Sequence, residues 1–583
     1  MMKVTLQAEG RVLEVPEGSN LMKILQKNGV AVKSPCGGKG TCKKCKVEIL
    51  DNGSPRKVLA CQTMVEGDLE VLAASRENFM DRKSVIHDME DIQTDLEIRG
   101  TIVTIPAPGL EEGSDADRLS QAAGKSLKIS PGLLAGISGR IQEKTRMQLV
   151  TENSRLLDAF SEPGGLYGIA VDLGTTTMVC QLADLETGTV LGSRAASNPQ
   201  GDHGADVISR IGYQSEGEEQ RLELRDRVLA EMSRLIRELG EQHHVDPRRI
   251  FRVAICGNTA MEHLMIGVPA AGIARFPYSP AFRTIAPFAA AGYLPDVCPR
   301  ARIHLVPNIS GYVGGDTTSL ILALNLDRSR SKILAVDLGT NGEVVLLVKN
   351  RLYACSTAAG PAFEGASIAF GMRAEAGAIE KFEIGDRIVY HTIGDEPAVG
   401  ICGSGLIDVV AQFVIFGLID SRGRIVSRDK VSEQKRFLAD RIGSYQGMPA
   451  LLVASRDEGA REDIWLTQKD IRELQLAKGA LAAGIRILMS EAGIRPEELK
   501  KVLLAGAFGN YINPWNALAL GLIPGVTPKQ LSSAGNAAAR GVLMILCSEK
   551  QRKRSRRIID RTDVLELSVR RDFQETFMKS MGF

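Results

Sequence analysis

No stretch of this 583-residue chain approaches the roughly 20 consecutive apolar residues that a bilayer-spanning helix needs, so no membrane role is expected. Charge of one sign is lacking too. A net charge of +2 gives no general reason to expect nucleic acid or an anionic surface as a partner. The opening "MMKVTLQAEGRVLEV" alternates polar and apolar residues and has nothing like the apolar core of a secretory signal. The expectation is therefore a cytoplasmic protein, in a compartment where thiols stay reduced and clustered cysteines suggest metal before disulfides. Histidine is scarce at seven residues, and the adjacent pair His243 and His244 in "GEQHHVDP" reads as solvated loop, because neighbouring side chains rarely converge on one metal.

What is present is organised in blocks. A hydrophobic share of 44% and a charged share of 24% are ordinary for globular domains, and the length calls for three or more of them. The first block carries "SPCGGKGTCKKCKV" and then "LACQT", so that Cys36, Cys42, Cys45 and Cys61 are spaced by five, two and fifteen residues. Gly37, Gly38 and Gly40 would let the backbone wrap an inorganic core and aim amides at its sulfurs. Zinc is the alternative, but zinc sites favour two close ligand pairs, whereas three thiolates on one loop and a distant fourth suit a [2Fe–2S] cluster. The flanks predict a hairpin turning at Glu9 and Gly10, then a helix in "SNLMKILQKNG" capped by Ser19 or Asn20 and ended by Gly29. That order is the ubiquitin-like β-grasp of ferredoxins, expected over residues 1–79 and closing near 75. Its first spacer of five resembles the adrenodoxin-like arrangement more than the plant type.

Residues 80–95, charge-rich and weakly periodic, read as a linker. A small α/β domain is expected over 96–163, with strands in "IRGTIVTI" and "MQLVTE" and helices in "SDADRLSQAAG" and "SRLLDAF". From 164 to 583 the pattern changes. "YGIAVDLGTTTMVC" is two strands joined by a tight turn rich in hydroxyls, in which Gly174, Thr175 and Thr176 can bind phosphate oxygens and Asp172 can hold hydrated magnesium. "ILAVDLGTNGEVV" repeats the device with Asp337, Gly339, Thr340 and Asn341. One Asp-x-Gly turn is an ordinary hairpin; two imply a duplicated fold. "LLAGAFGNYIN" then places Gly506 and Gly509 around a turn bare enough to lie against adenine and ribose, and "GYVGGDTTSL" and "SAGNAAARGVLM" lead small-residue turns into apolar helices able to cross closely.

This order of turns resembles the actin-like ATPase superfamily, whose large domain is ribonuclease H-like. Longer phrases, "NPQGDHGADVISRI", "CGNTAMEHLMIGV", "VDLGTNGE", "CGSGLIDV" and "LAGAFGNYINP", together with the cysteine block, resemble the ATP-dependent reductive activators of corrinoid proteins over nearly the whole chain. The resemblance implies a multidomain α/β and α+β protein that binds ATP with Mg²⁺ and passes one electron from a [2Fe–2S] cluster to an inactive cobalt(II) corrinoid, restoring cobalt(I) in a methyltransferase or O-demethylase system. It implies a low-potential electron donor, a corrinoid-protein partner and a homodimer, and one cluster per chain, since only Cys547 lies near the C-terminus. By analogy with the superfamily, Asp316 would orient the attacking water, with Glu343 as the second candidate. Two other readings stay open: a phosphotransferase like the sugar kinases, which leaves the cysteines unexplained, and a redox-gated binding protein of the actin-like superfamily that uses ATP only as a conformational switch. The remaining cysteines read as buried hydrophobes, His203 as a group that can face the cleft, and the basic run "EKQRKRSRR" as a solvated helix end.

Overall fold

The computed structural model describes residues 2–7, 10–28, 30, 32, 40, 45–51, 54–74, 92–365, 367–506 and 512–583. Cys36, Cys42, Gly509 and most of the expected linker lie outside the described residues. The first unit opens with the antiparallel pair β1 (Met2–Leu6) and β2 (Arg11–Val15), turned at Gly10 with φ 62°. Helix α1 (Leu21–Lys27) starts where the Asn20 side chain accepts the Lys23 amide at 3.3 Å, which satisfies one orphan donor. With β3 (Lys46–Asp51), β4 (Ser54–Leu59) and β5 (Leu69–Ala74) the sheet runs β2-β1-β5-β3-β4, and β1 lies parallel to β5, as a β-grasp requires. Val4, Leu21, Leu25, Val47 and Val71 give the unit a core of its own.

The next unit pairs β6 (Ile98–Ile105), β7 (Thr145–Glu152) and β8 (Arg155–Phe160) in the order β8-β7-β6, with α2 (Asp115–Ala122) and α3 (Pro131–Ser138) packed beside them. β8 corrects the helix expected in "SRLLDAF". Asn153, at φ 54°, turns the chain straight back onto β7. A register shift between Leu156 and Asp158 then lets Leu156 and Ala159 fill this unit's core while Leu157 and Phe160 join that of the next. A strand buried on both faces shows an apolar run without alternation, and a short run of that kind cannot be told from a buried helix by its period.

Two six-stranded sheets follow with one topology. The first holds β9 (Tyr167–Leu173), β10 (Thr177–Asp184), β11 (Val190–Ser197), β12 (Ile250–Gly257) and β13 (Arg302–Leu305) in the order β11-β10-β9-β12-β13, edged by Phe288–Ala289. Helices α4 (Val207–Gln214), α5 (Glu218–Gln242), α6 (Thr259–Ile266) and α7 (Gly315–Ala323) complete it. The second holds β14 (Ile333–Leu338), β15 (Gly342–Val348), β16 (Arg351–Thr357), β17 (Lys501–Ala505) and β18 (Leu531–Gly535) in the matching order β16-β15-β14-β17-β18, edged by β19 (Thr562–Val564). Central strands such as β12 and β15 are buried along their whole length, hence their largely apolar sequence, interrupted only by Arg252 and Glu343. Between β16 and β17 are inserted α8 (Gly403–Ile415), two three-stranded sheets and α9 (Gln468–Glu491). The chain ends with α10 (Pro514–Ala519), α11 (Ala537–Cys547), α12 (Glu549–Asp560) and α13 (Arg571–Ser580).

Helices α7 and α11 each follow the fifth strand of their half and cross nearly backbone to backbone: a Cβ added at Gly541 would sit 2.1 Å from the Ser319 carbonyl oxygen. The basic run lies in α12 and is only partly solvated, since Arg554 is buried in a pair with Asp327. Among the described residues no helix is long and apolar enough to cross a membrane.

Candidate functional site

Both hydroxyl-rich turns close at the same end of their sheets. In the first, the Gly174 amide donates to the Thr177 carbonyl at 2.9 Å, Asn198 donates to the Gly174 carbonyl at 2.9 Å, and Asn258, the N-cap of α6, donates to Thr175 Oγ1 at 2.9 Å. In the second, the Gly339 amide donates to the Asn341 carbonyl at 3.2 Å. The two turns meet, with Thr176 Oγ1 and Thr340 Oγ1 3.1 Å apart. Register explains the acids beside them. Asp172 ends β9 opposite Cys256 of parallel β12, and Asp337 ends β14 opposite Ala505 of parallel β17.

Asp316 enters from the second residue of α7, and its Oδ1 accepts the Thr317 amide at 2.6 Å. Asp172 accepts from Asn536, the N-cap of α11, at 3.1 Å and lies 3.8 Å from the Cys256 thiol. Burial pushes Asp337 up to about 7, and Asp316 and Asp172 add repulsion. Burial likewise pushes Asp316 up to about 6 against the Thr317 bond, and raises Asp172 despite Asn536 and Cys256. Glu343 is more deeply buried, is held well above the carboxylate range by burial and by Asp316 and Asp337, and accepts the Ser356 hydroxyl at 3.3 Å. Behind α7, fully buried Glu262 is raised in the same way and accepts from Asn308 at 2.7 Å. Burial is the leading influence on all five groups, neighbouring acids add to it on all but Asp172, and no lysine or arginine is among the causes.

Such a cluster is deficient in positive charge, yet among the described residues no three acids, histidines or cysteines converge closely enough to chelate a bare ion. A hydrated cation, bound through its waters and through substrate phosphates, fits that arrangement. Gly506 bounds the pocket beside Asp337. Its φ is +94°, and a Cβ there would sit 2.5 Å from Asp337 Oδ1, so only glycine fits. Asn258 and Asn536 did not stand out in the sequence, although each follows a glycine at a strand-to-helix junction, in "CGNTA" and "AGNAA". Arg373 was missed too; it reaches from the segment after β16 to the Ser197 hydroxyl at the end of β11. His203 does not serve as a cleft group: it stacks on Tyr213 with ring centres 4.2 Å apart and pairs with Glu223 at 3.2 Å.

In the first unit, Cys45 is buried and its Sγ lies 3.1 Å from that of half-buried Cys61. That is well beyond a disulfide bond of about 2.05 Å and somewhat short of the roughly 3.8 Å between two thiolates on one tetrahedral metal with bonds near 2.3 Å, so the two sulfurs lie near each other without being bonded. The pair is fixed by the backbone: the Ala60 amide donates to the Cys45 carbonyl at 2.8 Å, and Asn20 donates to the Cys61 carbonyl at 2.9 Å. Gly40, at φ +74°, lies so near Gln62 that an added Cβ would be 2.2 Å from Nε2. The two described thiols thus fit a metal–sulfur group.

Comparison with known proteins identifies the units in which both sites lie. Residues 4–66 match the family model of the 2Fe-2S iron-sulfur cluster binding domain, 167–329 the RACo middle region, and 331–583 the C-terminal domain of RACo, the ASKHA domain. The last two meet between α7 and β14, where one half of the duplication gives way to the other. The chain is 31% identical to the corrinoid activation enzyme RamQ of Eubacterium limosum over 98% of its length and 97% of the relative. It is 27% identical to the [Co(II) methylated amine-specific corrinoid protein] reductase of Methanosarcina barkeri, over 65% of this chain and 70% of that one. A solved reductive activator for a corrinoid, iron-sulfur protein superposes with a TM-score of 0.76 at 31% identity, covering 100% of this chain and 98% of the other. A β-grasp iron–sulfur unit joined to a duplicated actin-like fold, and end-to-end similarity of this extent, place the chain in the family of reductive activators of corrinoid proteins.

Proposed function

We propose that the protein couples ATP hydrolysis to the one-electron reduction of a partner's cobalt(II) corrinoid to cobalt(I), with a low-potential donor supplying the electron. The observation that carries this reading is the contact of the two hydroxyl-rich turns through Thr176 and Thr340 over an acid cluster that no lysine or arginine offsets, in a chain that also brings two thiols together. Cys36, Cys42, Cys45 and Cys61 would hold a [2Fe–2S] group, which supplies one-electron transfer when bound. Asp172 and Asp337 would hold the waters of Mg²⁺, which offsets their mutual repulsion. Amides and hydroxyls of Gly174, Thr175, Thr176, Gly339, Thr340 and Asn341 would orient the phosphates, and the turn from Gly506 to Gly509 would receive the adenosine. Asp316 fits the role of orienting the attacking water better than Glu343 does. It is half-buried with its carboxyl raised to about 6, whereas Glu343 is more deeply buried and held well above the carboxylate range. The test mixes the anaerobic protein with a cobalt(II) corrinoid protein of a methyltransferase system and a low-potential reductant, and follows cobalt(I) absorbance. Reduction should require ATP together with Mg²⁺. Equal rates with and without ATP would leave the nucleotide site as a switch or a relic.

A further inference from the structure

The inward side of α12 has a second feature that the proposed activity does not use. Five arginines from four elements converge at the edge of the first sheet: Arg155 of β8, Arg252 of β12, Arg302 of β13, and Arg552 and Arg556 of α12. Among the described residues two carboxylates answer them. Glu152 takes Arg252 at 2.6 Å and Arg155 at 3.2 Å, and Glu549 takes Arg552 Nε at 2.8 Å. Arg302 and Arg556 have no ion-pair partner among the described residues, while Arg552 Nη1, Arg252 Nε and Nη1, and His304 Nε2 are buried with no hydrogen-bond partner. Leaving such donors stranded in the interior is costly, and more so when they are charged.

Two of the donors, from Arg552 and His304, belong to residues lining one cavity of about 30 Å³ between β13 and α12, together with Arg556, Ser555 and Thr284. The Arg552 side chain is nine-tenths buried, and exposed Thr284, Ile285 and Arg556 form the mouth. Space of that size admits about two water-sized groups, enough for the head of an oxyanion and too little for a nucleoside. Burial first, and then the surrounding Arg252, Arg552, Arg302 and Arg556, hold His304 neutral. An imidazole in that state can still donate one N–H to an anion.

We propose that this cavity binds a small inorganic oxyanion of the phosphate class, held by Arg552, Arg556 and His304 at the junction of β13 with α12. Guanidinium forks matched to several oxygens favour an oxyanion over a halide. The site is separate from the nucleotide turns, and none of the acids that surround those turns lines it.

The experiment titrates inorganic phosphate into the full-length protein in EDTA, at ionic strength matched with chloride, and follows the melting temperature. Wild type and Asp172→Ala should both be stabilised. Arg556→Gln, which removes an exposed and unpaired side chain, should melt like wild type without phosphate and bind phosphate at least tenfold more weakly. Arg552→Gln should lose the response altogether; if it fails to fold, Arg556→Gln decides. No shift beyond that of chloride, an undiminished response in Arg556→Gln, or a response abolished by Asp172→Ala would overturn the proposal.

Discussion

Replacing Asp337 by Asn should make the protein more stable and less active at once, because burial and the neighbouring acids oppose ionisation of the wild-type carboxylate. Burial, with Asp316 and Asp172 beside it, pushes Asp337 up to about 7 from an ordinary 3.8. At about 1.4 kcal/mol per tenfold, forcing it to ionise in the folded state costs roughly 4 kcal/mol at most. Partial solvent access and the sharing of one charge among three carboxylates reduce this to about 2–4 kcal/mol. The sign follows from linkage. A folded-state value above the unfolded one means that the native protein binds more protons, so the stability this group contributes is intact below pH 4 and is lost as pH rises to about 7. The neutral amide never bears that cost. In metal-free buffer the melting temperature of Asp337→Asn should therefore match wild type near pH 4 and exceed it by about 4–8 °C near pH 8, taking about 2 °C per kcal/mol for a unit of this size. Mg²⁺ with ADP should narrow the gap by stabilising only the wild type, and ATP hydrolysis should be lost in the variant. A gap that stays constant from pH 4 to 8, or a variant less stable than wild type at pH 8, would refute the view of these acids as a cluster awaiting a cation.

Other perturbations separate the parts. Gly541→Ala gains up to about 1 kcal/mol of helix propensity, yet it should lower the melting temperature, because overpacking the α7–α11 crossing against the Ser319 carbonyl 2.1 Å away costs about 1–3 kcal/mol or more; a stabilised variant would show that the crossing can open freely. Cys45→Ser should abolish the visible charge-transfer absorption of the anaerobically purified protein while leaving ATP hydrolysis unchanged, and an intact spectrum would remove Cys45 from the ligand set. Deleting residues 1–80, a span that includes a unit with its own core, should leave partner-stimulated ATP hydrolysis largely intact and abolish cobalt reduction. Loss of the stimulation would place docking on the β-grasp unit.

The two phosphate-type turns were legible because a repeated Asp-Leu-Gly-Thr needs no tertiary knowledge to be seen twice. Their supports were not. Asn258 and Asn536 matter through side chains that cap α6 and α11 and cross to Thr175 and Asp172, and the Asn536 contact spans 364 positions. Cys256 read as a small buried hydrophobe and is one, but parallel pairing of β9 with β12 sets it against Asp172. Glu262 was hidden in the apolar surroundings of "TAMEHLMI", where no signal distinguishes a buried core acid from a surface one. "SRLLDAF" misled because a bulged strand buried on both sides imitates a short helix. The basic run in α12 misled because charge invites solvent, whereas Asp327 and Glu549 draw Arg554 and Arg552 inward.

On the function proposed above, the direction of the electron explains why one chain should hold both sites. For a one-electron step, each tenfold disadvantage corresponds to about 59 mV, so an uphill gap of a few hundred millivolts amounts to roughly 5–10 kcal/mol. Docking energy of that size would drive the reduction but would also retain the product, since a ligand moves an equilibrium only by its difference in affinity for the two states. A nucleotide changes that difference within one cycle. On the proposed reading, the acid cluster resists ionisation while empty and accepts it when Mg²⁺ and phosphates arrive, so loading and hydrolysis alter the charge balance where the two halves touch through Thr176 and Thr340. The α7–α11 crossing, with no side chain at Gly541 to cushion it, ties that change to the helix that carries Asp316. Tight binding of the cobalt(II) partner in one nucleotide state and release of the cobalt(I) form in the next then require no additional contact surface, only that the two sheets hold different relative positions before and after hydrolysis.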